Sequence, residues 1–122
     1  MTKRLCFEHG LFFVELVITN KSIIMSKFNT LINSNKPVLV DFYATWCGPC
    51  KTMGPILEKV KSVVSDTVTI LKVDVDKNPT VAAQYQVRGV PTLLIFKDGK
   101  IKWRQSGVVS DTELIGLLKQ MS

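Results

Sequence analysis

Seven residues in the middle of the chain, Val38-Leu39-Val40-Asp41-Phe42-Tyr43-Ala44, form an apolar run broken by a single carboxylate. A strand open to water on one face alternates apolar and polar residues, so an unbroken run predicts a central strand covered on both faces. Such a strand needs layers on either side, which commits the chain to an α/β arrangement. Directly after the run stands Trp46-Cys47-Gly48-Pro49-Cys50. Then Met53, Ile56, Leu57, Val60, Val63 and Val64 recur at the spacing of one helix face. Pro55 falls inside that helix and predicts a kink, because it removes a backbone donor.

The two cysteines therefore sit at C-x-x-C spacing on the first turn of a helix that follows a buried strand, the setting of a dithiol–disulfide redox centre. A helix N-terminus leaves backbone N–H groups unpaired and carries positive partial charge, which stabilises a thiolate and lowers its pKa. Cys47, nearer the helix start, is the expected nucleophile and the more exposed sulfur. Cys50 is the expected resolving thiol, pointing toward the core. In the cycle this implies, Cys47 forms a mixed disulfide with a substrate, and Cys50 then displaces it and leaves Cys47 and Cys50 oxidised.

The remaining elements complete a pattern. Phe28, Leu31 and Ile32 predict a short first helix, ended by Asn35-Lys36-Pro37. Val68 to Val75 is a second β-branched strand. Asn78 to Tyr85 reads as a short helix with Asn78 capping and Pro79 at its first position. Asp98-Gly99 predicts a tight hairpin between Thr92–Phe96 and Lys100–Gln105. Asp111 is expected to cap a last helix whose apolar face is Leu114, Leu117, Leu118 and Met121. The order β-α-β followed by β-β-α predicts a parallel pair and an antiparallel hairpin in one mixed sheet, with helices on both faces.

From Met25 to Ser122 the chain resembles the thioredoxin family. The resemblance rests on Val38 to Ala44, the Trp46–Cys50 motif with Lys51 after it, Lys72-Val73-Asp74-Val75-Asp76, Arg88-Gly89-Val90-Pro91-Thr92, Phe96-Lys97-Asp98-Gly99 and Gly107, all in register. It implies the thioredoxin-like α/β fold, a central mixed β-sheet flanked by helices on both faces. It also implies a protein-disulfide reductase without a cofactor or metal, recharged by a flavin- and NADPH-dependent thioredoxin reductase. By the same resemblance Asp41 is the buried acid that takes the Cys50 proton, and Lys72 is the lysine that accompanies it. Pro91 matches the family's cis-proline beside the sulfurs, where backbone polar groups pair with an extended substrate segment. Trp46, Gly48, Pro49, Val90, Pro91, Gly107 and Val108 would form the flat apolar docking surface. Tyr43 departs from the tryptophan common at its position, and Ser106 stands where an apolar residue is usual.

Direction follows from Gly48-Pro49. Related oxidases and isomerases usually place a histidine in this dipeptide, which stabilises the thiolate and makes the disulfide a stronger oxidant. The one histidine of this chain is His9. A reductant is therefore expected, with an exported oxidase or isomerase, or a cysteine-independent binding module, as the rivals.

With 122 residues and 46% hydrophobic content, the chain suits one domain with a real core. The net charge of +6 raises nucleic acid as a partner, yet the basic residues are scattered. Their tightest group, Lys97, Lys100, Lys102 and Arg104, falls on a hairpin where alternate residues face water, so a solvated face is expected and no nucleic-acid site. Three cysteines fit a reducing compartment, here the cytoplasm, better than a stapled secreted domain. Zinc is not expected, since the only further soft ligands are Cys6 and His9. A monomer without membrane attachment, acting on disulfide-containing proteins, is the expected state.

Residues 1–24 precede the family pattern and are read as a separate extension. Three readings fit: an over-extended reading frame with the true start at Met25, an added edge strand through Phe13–Thr19, or a signal peptide. The first is preferred. Glu8 and Glu15 interrupt the apolar stretch, and no small-residue cleavage site follows it.

Overall fold

A computed structural model of the chain describes residues 2–8, 11–17 and 21–122, with side chains from residue 25 onward. The elements run β1 (Thr2–Glu8), β2 (Leu11–Val17), α1 (Lys21–Ile32), β3 (Val38–Tyr43), α2 (Gly48–Val64), β4 (Thr69–Asp74), α3 (Pro79–Gln84), β5 (Thr92–Lys97), β6 (Lys100–Ser106) and α4 (Asp111–Met121). A short 3₁₀ turn, Ser65–Thr67, links α2 to β4.

Among the described residues the strands form one six-stranded sheet in the order β1-β2-β4-β3-β5-β6. β3 lies parallel to β4 and antiparallel to β5, and β5 turns back into β6. This is the expected parallel pair and antiparallel hairpin in a mixed sheet. β2 adds parallel to β4, and β1 pairs antiparallel with β2 at that edge. α1 spans the Met25 boundary drawn from the sequence. His9, Ile18 and Thr19 lie outside the described residues, and Cys6 is placed by its backbone alone.

The alternation of β3 divides the interior into two cores. Val38, Val40 and Phe42 pack with Phe28 and Ile32 of α1, Val81 of α3, and Leu94 and Phe96 of β5. Leu39 packs on the opposite face with Met53, Leu57 and Val60 of α2, Ile70 of β4, Leu93 and Ile95 of β5, and Leu114 and Leu118 of α4. Asp41 and Tyr43 follow Leu39 at two-residue steps, so they face the α2 layer. The hairpin turn places Asp98 and Gly99 both at positive φ, 55° and 78°. This is the conformation that selects Asp-Gly in a two-residue turn.

Several local expectations are corrected. The helical spacing places Val63 on the buried face of α2, but it is exposed and Lys61 is buried instead. The Lys61 ammonium donates to Val68 O at 2.7 Å, and burial pushes its pKa down. α4 is capped by Ser110, whose hydroxyl accepts from Glu113 N at 3.2 Å. Asp111 is instead the first helical residue and pairs with Lys59 at 3.0 Å. Asn78 holds the N-cap position of α3, yet its amide donates back to Asp74 O at 3.0 Å rather than capping the helix.

Candidate active site

The end of β3 and the start of α2 are separated by a tight turn in which Cys47 N donates to Ala44 O at 3.2 Å. That turn makes Cys47 the N-cap of α2, with extended backbone (φ −89°, ψ 118°). Its sulfur takes the place of the usual capping oxygen, because Cys50 N donates to Cys47 Sγ at 3.2 Å. Pro49 occupies the first turn, where its missing N–H costs nothing. No acidic side chain lies in that first turn to offset the positive helix end.

Cys47 and Cys50 are joined in a disulfide, with Cα atoms 5.3 Å apart. Both cysteines are buried as whole residues, Cys47 4% exposed and Cys50 8%. The cause is local. Ala44 and the two cysteines form a small cluster against which Tyr43, Val75 and Val90 pack. Val90 O lies 3.6 Å from Cys47 Sγ.

Asp41 is 1% exposed, and its Oδ1 has no hydrogen-bond partner. Burial raises its pKa from the ordinary 3.8 to about 6, and the charge of Lys72 only partly offsets this. Lys72 is its register partner on β4. The Lys72 ammonium stands 5.0 Å from the centre of the Tyr43 ring, a cation–π contact. A hollow of about 360 Å³ opens between Tyr43, Lys72, Cys50, Lys51 and Gly54. Asp41, Lys72 and Tyr43 thus share the sheet face beneath α2, the helix that carries Cys50.

On the other side of the disulfide lies an apolar rim. Trp46 is 70% exposed, while its indole N–H donates to Asp76 Oδ2 at 2.8 Å. Trp46, Val75, Val87, Arg88, Gly89 and Val90 line a second hollow of about 120 Å³. The Val90–Pro91 peptide is cis. Pro91 is buried, and its carbonyl accepts from Gly107 N at 2.9 Å, with Gly107 at φ 93°. Gly48, Pro49 and Val108 are exposed. Of the residues singled out in the sequence, Asp41 and Lys72 thus lie beneath α2. Trp46, Gly48, Pro49, Val90 and Pro91 lie beside or next in sequence to the sulfurs and their Val90 contact, and Gly107 is tied to Pro91.

The strand pattern that contains Asp74 and Asp76 gives no role in the site to either, yet both help to hold Trp46. Asp74 is buried, and its Oδ1 accepts from Asp76 N at 2.9 Å, which fixes the turn that presents Asp76 to Trp46. The local signal was an acid at a strand end followed by a turn, where aspartate bonds the backbone two residues on. Among the described residues no cluster of histidine, cysteine and carboxylate side chains could hold a metal ion, and no helix is long and apolar enough to cross a membrane.

The family model named Thioredoxin matches residues 19–120. A thioredoxin-like protein of Synechocystis is 51% identical over 89 residues, 73% of this chain and 85% of its relative. The thioredoxin of Acidithiobacillus ferridurans is 46% identical over 88 residues, 72% of this chain and 82% of that protein. The oxidised form of mitochondrial thioredoxin 3 from Saccharomyces cerevisiae superposes with a TM-score of 0.73 at 38% identity, over 87% of this chain and 92% of that one.

Proposed function

The chain belongs to the thioredoxin family and is a thiol–disulfide oxidoreductase that reduces protein disulfides without a cofactor, and we propose that Cys47 is the attacking thiolate and Cys50 the resolving thiol. The observation that carries this assignment is the N-cap position of Cys47, whose sulfur already accepts a backbone N–H from Cys50. Reduced, that sulfur bears a negative charge at the positive end of a helix, where the thiolate is favoured.

Two exchanges move two electrons. The Cys47 thiolate attacks one sulfur of a substrate disulfide; the S–S bond breaks and the other substrate sulfur leaves as a thiolate that takes up a proton. Asp41 then accepts the proton of the Cys50 thiol, which suits a carboxylate with a pKa of about 6. The Cys50 thiolate attacks Cys47, the mixed disulfide breaks, and the second substrate sulfur departs as a thiolate that takes up a proton. Lys72 acts on this step through the charge it sets beside Asp41. Trp46, Gly48, Pro49, Val90, Pro91, Gly107 and Val108 receive the substrate. The exposed apolar surface of Trp46, Pro49 and Val108, with the small residues Gly48 and Gly107, lets an extended backbone approach the sulfurs.

The electrons come from a flavin- and NADPH-dependent thioredoxin reductase, and the protein acts as a cytoplasmic monomer with its functional domain in residues 25–122. The Gly48-Pro49 dipeptide supports a reductant over an oxidase, since neither residue adds a charge to favour the thiolate further.

Two measurements test the assignment. Cys50→Ser accumulates a covalent complex with a disulfide-bonded protein, through Cys47, whereas Cys47→Ser does not; trapping on Cys50 reverses the roles. The equilibrium potential of the pair is expected at the family's own value, about −270 mV. A potential above about −200 mV assigns the protein to the oxidases or isomerases instead.

A further inference from the structure

The rim of the site ends in the loop that joins α3 to β5; Arg104 of β6 reaches the start of that loop, and Ser106 of β6 touches Thr92, the β5 residue that closes it. β6 is an edge strand, and Arg104 and Ser106 lie two residues apart on it, hence on one face. The guanidinium of Arg104 forks over the end of α3, with Nη1 donating to Tyr85 O and Nη2 donating to Gln86 O at 2.9 Å. Those carbonyls stand at the C-terminal end of a helix, where a cation is favoured. Gln86 is itself at positive φ, 54°, so the chain reverses there before running toward Val90.

The far end of the same loop is held through Thr92. Its hydroxyl donates to Gly89 O at 2.6 Å and lies 3.4 Å from Ser106 Oγ. The Thr92 hydroxyl has one hydrogen, and Gly89 takes it, so Ser106 is the donor in the second contact. Between these two anchors lie Val87, Gly89 and Val90, which line the hollow with Trp46, and Val90 O is 3.6 Å from Cys47 Sγ. Arg104 is thus more than one charge on a solvated face.

We infer that Arg104 and Ser106 are positioning residues, a two-point clamp from β6 that holds the 86–91 loop at the distance from Cys47 at which substrate docks. The inference rests on the reading of this rim as the substrate surface. A bidentate, charge-assisted fork fixes geometry as well as adding energy, and lysine cannot reproduce it. Small misplacements of a docking element are costly when reacting atoms must be aligned.

The test is steady-state reduction of insulin disulfides by the full chain and by Arg104→Ala, Arg104→Lys and Ser106→Ala, with hydrogen exchange at the Gly89 and Val90 amides. Both Arg104 variants are expected to raise KM about fivefold, with kcat moving less, and to speed exchange at these amides. Ser106→Ala is expected to raise KM about twofold. Arg104→Lys keeps the charge, so a wild-type KM in that variant overturns the clamp in favour of simple charge steering. Unchanged KM in all three variants also overturns it. Failure of the wild-type chain to reduce insulin instead overturns the underlying functional reading.

Discussion

Asp41 shows how one residue couples stability to chemistry. Its carboxyl is buried with one oxygen unpaired, and its pKa rises from 3.8 to about 6 because burial outweighs the pull of Lys72. The folded state therefore holds a proton that the unfolded chain has already lost between these two values. Below pH 3.8 both states are protonated and Asp41 costs nothing through ionisation; as pH climbs through about 6, folding increasingly buries a charge. The gap corresponds to about 3 kcal/mol of stability lost above pH 6. Asp41→Asn removes the charge at similar volume. It should be more stable than the wild type at pH 7.5 by up to about 3 kcal/mol, with the difference closing toward pH 4. Urea melts at the two pH values read this directly, and an equal difference at both would rule it out. The same variant should turn over more slowly, because the Cys50 proton loses its acceptor.

At the scale of elements, what was legible in the sequence was local. The unbroken run of β3, the helical period of α2 and the Asp-Gly turn each depend on neighbours a few residues away, and each stands where expected, Val63 of α2 excepted. The Cys47–Cys50 site was legible for the same reason: strand, turn and helix N-terminus are contiguous. What escaped were contacts between segments distant in sequence, such as Trp46 to Asp76, Lys61 to Val68 O and Arg104 to Tyr85 O. Nothing in the spacing of Arg104 separates a solvated cation from one that caps another helix. A cap can also be misassigned by one position when two capping residues are adjacent. Ser110 and Asp111 are such a pair, and the geometry gives the cap to Ser110, with Asp111 drawn below its usual pKa by the Lys59 side chain. Ser110→Ala should lower stability by about 1 kcal/mol, a typical value for a lost N-cap. Asp111→Asn should spare the cap and leave α4 folded. Thermal melts of the two variants decide the assignment, and a larger loss from Asp111→Asn would return the cap to Asp111.

Across the whole molecule, the two cores are not independent layers. Alternate residues of β3 and β5 belong to opposite cores: Val40 and Leu94 to one, Leu39 and Leu93 to the other. Removing either helical layer therefore strips one face of the strands that support the other. Phe28 is the test of that coupling. It is fully buried, and its ring lies 6.3 Å from Phe42, 5.9 Å from Phe96 and 5.3 Å from Tyr85, all on the face away from α2. The two tryptophans lie elsewhere: Trp46 at the disulfide rim and Trp103 against the α2–α4 core. Phe28→Ala should cost about 3–5 kcal/mol, the usual penalty for emptying a buried aromatic site. If the strands bind the cores into one unit, tryptophan fluorescence and far-ultraviolet circular dichroism should fall together at a lower urea midpoint with an unchanged slope. Fluorescence that persists after the helical signal has dropped would mean that the α2–α4 face, and the redox site with it, stays folded without α1 and α3. The shared strands argue against that outcome, because the sheet face that carries Asp41 has Val40 and Phe42 as its reverse side.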